Sequence, residues 1–186
     1  VAKDYSEVPD KGVGDGFTES MWDDSIRDNI NTLITQPYAW VRRASSDQTI
    51  PDSTFTILNW DTEDEDNDLI WNAGSAARFT PDTEGLYLFL ATISWETTAS
   101  SSTAVIAQIQ RNNQEVLGED RRKHAMGYSS TKHQVFGIGY FNGSTDYVHI
   151  KLYQDSGGDL DIITDSDGVG NSPCRFQAYR LGIISF

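Results

Sequence analysis

Gly85-Leu86-Tyr87-Leu88-Phe89-Leu90-Ala91-Thr92-Ile93-Ser94-Trp95 is apolar on both of its alternating faces. One face carries Leu86, Leu88 and Leu90; the other carries Tyr87, Phe89, Ala91, Ile93 and Trp95. Successive side chains of a strand point to opposite sides, so an antiparallel strand with one wet face alternates apolar with polar. Here both sides ask for burial. In an all-β domain that demand is met when one face enters a sandwich core and the other meets a neighbouring subunit. The run speaks about assembly as well as fold, and its pattern leaves open which set faces the core.

Short strands with turns between them surround this run from Gln48 onward. Segments 54–60, 69–71, 77–80, 104–110, 133–141, 147–153, 160–163 and 175–186 read as strands, with turns at 81–85, 111–113 and 142–144. Residues 61–68, with six carboxylates in eight positions, read as an acidic loop, and 97–103 as a Ser/Thr loop. This spacing predicts an all-β sandwich or jelly roll. Two more segments have two non-polar faces. In 147–153, Val148, Ile150 and Leu152 oppose Tyr147, His149, Lys151 and Tyr153; in 175–186, Phe176, Ala178, Ile184 and Phe186 oppose Tyr179, Leu181 and Ile183.

The N-terminal part is different in kind. Residues 1–17 carry Pro9, Gly12, Gly14 and Gly16 among charges, which favours an extended arm. Ser20 with Asp23 resembles a capping box, and Trp22, Ile26, Ile30, Leu33 and Ile34 form a stripe at helical spacing up to Pro37. A helix of this length is marginal alone, so the stripe packs on its own domain, on copies of itself or on a partner. The expected division is 1–47 for arm and helix and 48–186 for the sandwich.

Composition narrows the function. Fourteen basic against 28 acidic residues give a formal net charge of −14, which excludes a generic nucleic-acid surface. A hydrophobic content of 38% and five tryptophans argue against global disorder. Cys174 is the only cysteine, so no intrachain disulfide forms, and its expected role is that of a small buried hydrophobe. No apolar run is long enough for membrane insertion and the N-terminal residues are not signal-like, so the chain reads as soluble.

Chemistry is sparse. Asp159, Asp161, Asp165 and Asp167 are the candidate oxygen ligands for calcium, beside the acidic stretch 61–68. Asp165-Ser166-Asp167-Gly168 resembles only the second half of an EF-hand loop, so a solvated acidic surface is the favoured reading and no cofactor is expected. His124, His133 and His149 are scattered with no HExxH-type spacing, a Ser-His-Asp triad is a spatial constellation that nothing in the sequence selects, and no enzyme is expected. Arg121-Arg122-Lys123-His124 is a basic cluster in an acidic chain, read as a solvated loop or a docking contact to an acidic neighbour. Asn142-Gly143-Ser144 matches a glycosylation sequon, although an Asn-Gly turn already explains it.

The order of four motifs resembles the C1q/TNF-like jelly roll. They are Phe79-Thr80-Pro81 with Gly85 and Tyr87, the turn Gln110-Arg111-Asn112-Asn113, the hairpin Phe141-Asn142-Gly143 through Val148, and the closing segment from Phe176 to Leu181. Ala178 stands where that family has glycine. The resemblance implies a compact homotrimer in which 85–95, 147–153 and 175–186 share one sheet facing the three-fold axis; Tyr87, Phe89, Tyr147, His149, Tyr153 and Tyr179 are the expected interface residues. Asp15-Gly16-Phe17-Thr18-Glu19-Ser20-Met21-Trp22 with Ile26-Arg27-Asp28-Asn29-Ile30-Asn31 resembles a segment of tailed-bacteriophage structural proteins. Together these imply a non-enzymatic virion protein at the phage particle surface, a trimeric knob decorating the capsid. Phe17, Trp22, Ile26, Ile30 and Leu33 would anchor it to the major capsid or another virion protein. The alternative is a tail-fibre tip that binds a host-surface glycan, with Trp60, Trp71 or Tyr128 stacking on sugars.

Overall fold

The computed structural model describes residues 26–27, 30–31, 35–96, 104–123, 132–164 and 174–182. Among them are eleven strands: β1 (Tyr38–Arg43), β2 (Gln48–Ile50), β3 (Thr56–Ile57), β4 (Thr62–Asp66), β5 (Gly85–Ser94), β6 (Ala104–Arg111), β7 (Glu115–Lys123), β8 (Lys132–Phe141), β9 (Val148–Gln154), β10 (Leu160–Ile162) and β11 (Cys174–Gly182). A five-stranded sheet has the order β4-β1-β11-β5-β8, a four-stranded sheet the order β3-β9-β6-β7, and β10 pairs with β2. The long strands alternate between the sheets: β5 in the first, β6 and β7 in the second, β8 in the first, β9 in the second, β11 in the first. That alternation is jelly-roll connectivity.

The double-faced run is β5, and the structure settles its phase. Tyr87, Phe89, Ala91, Ile93 and Trp95 point inward and are at most 3% exposed, whereas Leu86, Leu88, Leu90 and Thr92 point outward and are half-buried. The core is largely aromatic. Phe79 lies 4.2 Å from Phe176, which stacks at 5.8 Å on Phe89; Phe89 meets Phe141 at 5.0 Å, and Trp60 meets Phe176 at 5.9 Å. Burial of each such side chain contributes roughly 1.5–3 kcal/mol, so this cluster dominates the sandwich's stability.

Two close approaches fix the ends. A Cβ on Gly118 of β7 would stand 2.0 Å from the Phe136 carbonyl oxygen, so only glycine lets β7 close against β8 there. Gly143 has φ +67°, and a Cβ on it would stand 2.4 Å from the Glu84 nitrogen. Beside it, the Asn142 side-chain carbonyl accepts from the backbone N–H groups of Ser144, Thr145 and Asp146 at 3.0, 3.0 and 3.1 Å. The Asn-Gly turn reading holds. At the other hairpin Asn112 and Asn113 both adopt positive φ, 53° and 59°, as its asparagines suggest.

Several expectations are corrected. The segment 147–153 does not share a sheet with β5 and β11: β9 lies in the four-stranded sheet, between β3 and β6. The acidic stretch is not a loop, because Thr62–Asp66 forms an edge strand on β1, held by an Arg42–Asp64 ion pair at 2.8 Å and a Tyr38 hydroxyl donating to Glu65 at 2.9 Å. Arg121, Arg122 and Lys123 of the basic cluster, read as a solvated loop, are residues of strand β7. The five-stranded sheet also takes in β1, ahead of the expected start at residue 48. Of the expected arm and helix only scattered residues are described: Ile26 is half-buried and Ile30 exposed, while Phe17, Trp22 and Leu33 lie outside the described residues.

Candidate functional site: the outer face of the five-stranded sheet

Strand register assembles an apolar block that no single stretch of sequence displays. Tyr38 of β1 faces Tyr179 of β11, which faces Leu88 of β5, which faces Ile138 of β8. The adjacent outward row runs Glu65, Trp40, Gln177, Leu90, Phe136, and the next runs Thr62, Arg42, Arg175, Thr92, Gln134. The face therefore grades from aromatic and aliphatic rows to a polar rim. Trp40 lies edge-on to Tyr179 at 6.3 Å and tilts against Tyr38 at 5.8 Å. Phe136 is 68% exposed and Ile138 52%. A groove of about 270 Å³ opens on this face between β5, β8 and β11, lined in part by Leu90, Thr92, Gln134, Phe136 and Gln177.

The cause is the composition of β8 and β5. β8 places Val135, Gly137 and Phe141 inward and Phe136 and Ile138 outward, so its bulk is turned away from the core it borders. With β7 closed against its edge, β8 still presents two large exposed hydrophobics on its outward face, an association surface unless something covers them. The opposite edge, β4, is short and carries four carboxylates, a pattern that discourages unplanned pairing.

The expected interface residues scatter. Tyr87 and Phe89 are fully buried between the sheets and cannot contact a neighbour; the outward set of β5 is Leu86, Leu88 and Leu90. Tyr147, His149 and Tyr153 belong to the strand of the other sheet or its approach, so they share no face with Tyr179. Tyr179 alone of the six lies on the apolar face. Sequence reasoning missed Trp40, Phe136 and Ile138; the outward alternation of Phe136 and Ile138 against inward glycines was the signal available.

The four-stranded sheet's outer side is covered largely by its own groups, although Gln110 Oε1 and His149 Nε2 are buried there without a hydrogen-bond partner. Gln110 donates to Gln108 at 2.9 Å and Gln108 donates to Glu119 at 2.6 Å. Phe55 packs on Tyr153 at 5.0 Å, and the Arg78 guanidinium lies 4.3 Å over the Tyr147 ring. His149 is 1% exposed, and burial, with Lys151 and Arg78 nearby, pushes its pKa down to about 4, so it is neutral at pH 7. His133 is fully buried beside Trp95, its Nδ1 3.3 Å from Asp120. Cys174 is buried, its thiol pKa pushed up to about 11 by burial, and its sulfur accepts from the Ser94 N–H at 3.1 Å. Burial leaves all three without open access for a substrate.

Among the described residues no three metal-type ligands converge. Asp159 is exposed; Asp161 is half-buried and its backbone N–H donates to Glu96 at 2.8 Å. Asp165 and Asp167 lie outside the described residues. Trp60 and Trp71, expected as sugar platforms, are 1% and 5% exposed and belong to the core; Tyr128 lies outside the described residues.

No family model matches this chain, and no curated protein matches its sequence. Solved structures do match. Eiger TNF from S. frugiperda superposes with a TM-score of 0.54 at 11% identity, covering 82% of this chain and 97% of its own. Murine APRIL superposes with a TM-score of 0.55 at 10% identity, covering 79% of this chain and all of its own. Identity this low shows the shared fold alone. The fold is a TNF-like jelly roll, as the motif order implies.

Proposed function

We propose that this chain is a non-enzymatic knob that closes into a homotrimer through the outer face of its five-stranded sheet. Its N-terminal segment holds the knob on a tailed-phage particle, as a head decoration or head spike. The observation that carries the assembly is the outward block of Trp40, Tyr179, Leu88, Leu90, Phe136 and Ile138. Removing one such side chain from water contributes roughly 1.5–3 kcal/mol, enough across the block to offset the entropy lost on association. The two edges of the sheet differ, so the contact between copies is head-to-tail and closes as a ring; the C1q/TNF-like resemblance supplies the number three.

The virion placement rests on residues 15–31 of the sequence. The glycan-binding alternative loses support because Trp60 and Trp71 are core residues. The decisive experiment deletes residues 1–34, keeping Gln36, whose side chain accepts from Arg180 at 3.2 Å. The shortened chain is expected to remain trimeric and to disappear from purified particles. Incorporation at the full-length level contradicts the anchor.

A further inference from the structure

The two flanks of the outer face differ in kind and stand at the same heights. On the β8 flank Phe136 and Ile138 protrude, 68% and 52% exposed. On the β1 flank Tyr38 and Trp40 are half-buried and lean on each other at 5.8 Å, with Trp40 edge-on to Tyr179 at 6.3 Å, so the rings form a platform. Register sets the heights. Ile138 shares one row with Tyr38, through Leu88 and Tyr179; Phe136 shares another with Trp40, through Leu90 and Gln177. Sheet twist tilts a row along the face normal and leaves its height along the central strand.

We infer that around the ring Phe136 and Ile138 of one copy pack on Trp40 and Tyr38 of the next, each on the member of its own row. This rests on the trimer reading above and adds its register and direction. Three like faces set around one axis place their middle strands nearest it and bring the β8 flank of each copy beside the β1 flank of the next. Rotation about an axis along the central strand leaves height unchanged, so row members meet row members. A pairing of two β8 flanks would bury Phe136 and Ile138 but leave both aromatic platforms in water; the ring covers both flanks of every copy. Aromatic rings also gain from edge-on and offset contact with one another, which Phe136 finds on Trp40. Glu65, outermost in that row, keeps its carboxylate on the Tyr38 hydroxyl at 2.9 Å, at the rim.

Thiol cross-linking tests this. Residues 38 and 138 of one chain lie three strand spacings apart, about 14 Å, so a bis-maleimide shorter than that joins them only between copies. Native Cys174 is buried, its thiol pushed up to about 11 by burial, and stays out of the reaction. The chain carrying both Tyr38→Cys and Ile138→Cys is expected to give covalent trimers, and each single variant only unlinked chains. Dimers from either single variant overturn the inference, as does a double variant that stays unlinked while it sediments as a trimer. A ladder that stops at two chains overturns the ring and the inference together. The second measurement needs no cysteine. Phe136→Ala and Trp40→Ala are each expected to weaken assembly about tenfold, and together by well under about a hundredfold, because both empty the same contact. Losses that multiply overturn the pairing and leave the trimer standing; a monomeric unaltered chain overturns both.

Discussion

The two outer faces of this sandwich are built from strands of similar length, yet they end in opposite conditions. On the four-stranded sheet, Gln110, Gln108 and Glu119 form a hydrogen-bonded chain, and Phe55, 44% exposed, packs against half-buried Tyr153. On the five-stranded sheet, half-buried Leu88 and Leu90 stand beside Phe136 and Ile138, which are 68% and 52% exposed. Polar side chains are satisfied locally, by one hydrogen bond each. Apolar side chains are satisfied only by excluding water over an area, and a single flat sheet cannot do that for its own outer face. One face is largely covered by its own groups, and in the proposed trimer the other is covered by a neighbouring copy.

The comparison breaks most visibly if charge enters the apolar block. Leu88→Asp with Phe136→Asp is expected to abolish the trimer, weakening it by more than about a hundredfold, or roughly 3 kcal/mol, while the monomer still melts cooperatively. Lys151→Ala, on the opposite sheet, is the matched control and should change assembly by less than about 0.5 kcal/mol. If both act alike, the distinction between faces is wrong. Truncating the inward side of β5 reads differently: Phe89→Ala is expected to cost about 3–5 kcal/mol of folding stability by leaving a cavity beneath Phe141 and Phe176. A small cost with lost assembly would mean that Phe89 faces a neighbour instead.

The smaller effect concerns pH on the satisfied face. His149 titrates near 4 when folded against about 6.5 when unfolded, because burial and then the Lys151 and Arg78 charges oppose its cation. As pH falls below 6.5 the unfolded chain takes the proton first, so this stability is full above 6.5 and is lost as pH falls toward 4. Between pH 7 and 4 the unaltered chain should lose on the order of 2 kcal/mol more than His149→Gln, in denaturant titrations at each pH. Parallel pH profiles for the two chains would show that His149 is not buried as described.

The jelly roll was legible because its signals are local. Asn112-Asn113 and Asn142-Gly143 announce turns through backbone conformations few residues adopt, and the run 85–95 announces a strand buried on both sides. Its phase was not legible, since Leu86, Leu88 and Leu90 are as apolar as Tyr87, Phe89 and Ile93 and only the partner strands distinguish them. Periodicity likewise gives the faces of 147–153 but not the sheet it joins, which is a matter of chain path. β4 hid because carboxylates are poor strand formers, and only Arg42 and Tyr38, some twenty residues away, make the pairing reasonable. β7 hid because Glu115–Lys123 has no alternating apolar set. The apolar block itself comes from four strands distant in sequence, so single-segment reading found Tyr179 and missed Trp40, Phe136 and Ile138.

The most direct measurement is the mass of the purified full-length chain in solution, by light scattering across a micromolar dilution series. The apolar outer face predicts three times the chain mass, persisting to the lowest concentrations measured. A single-chain mass throughout, with Leu88 and Phe136 unaltered, would contradict it.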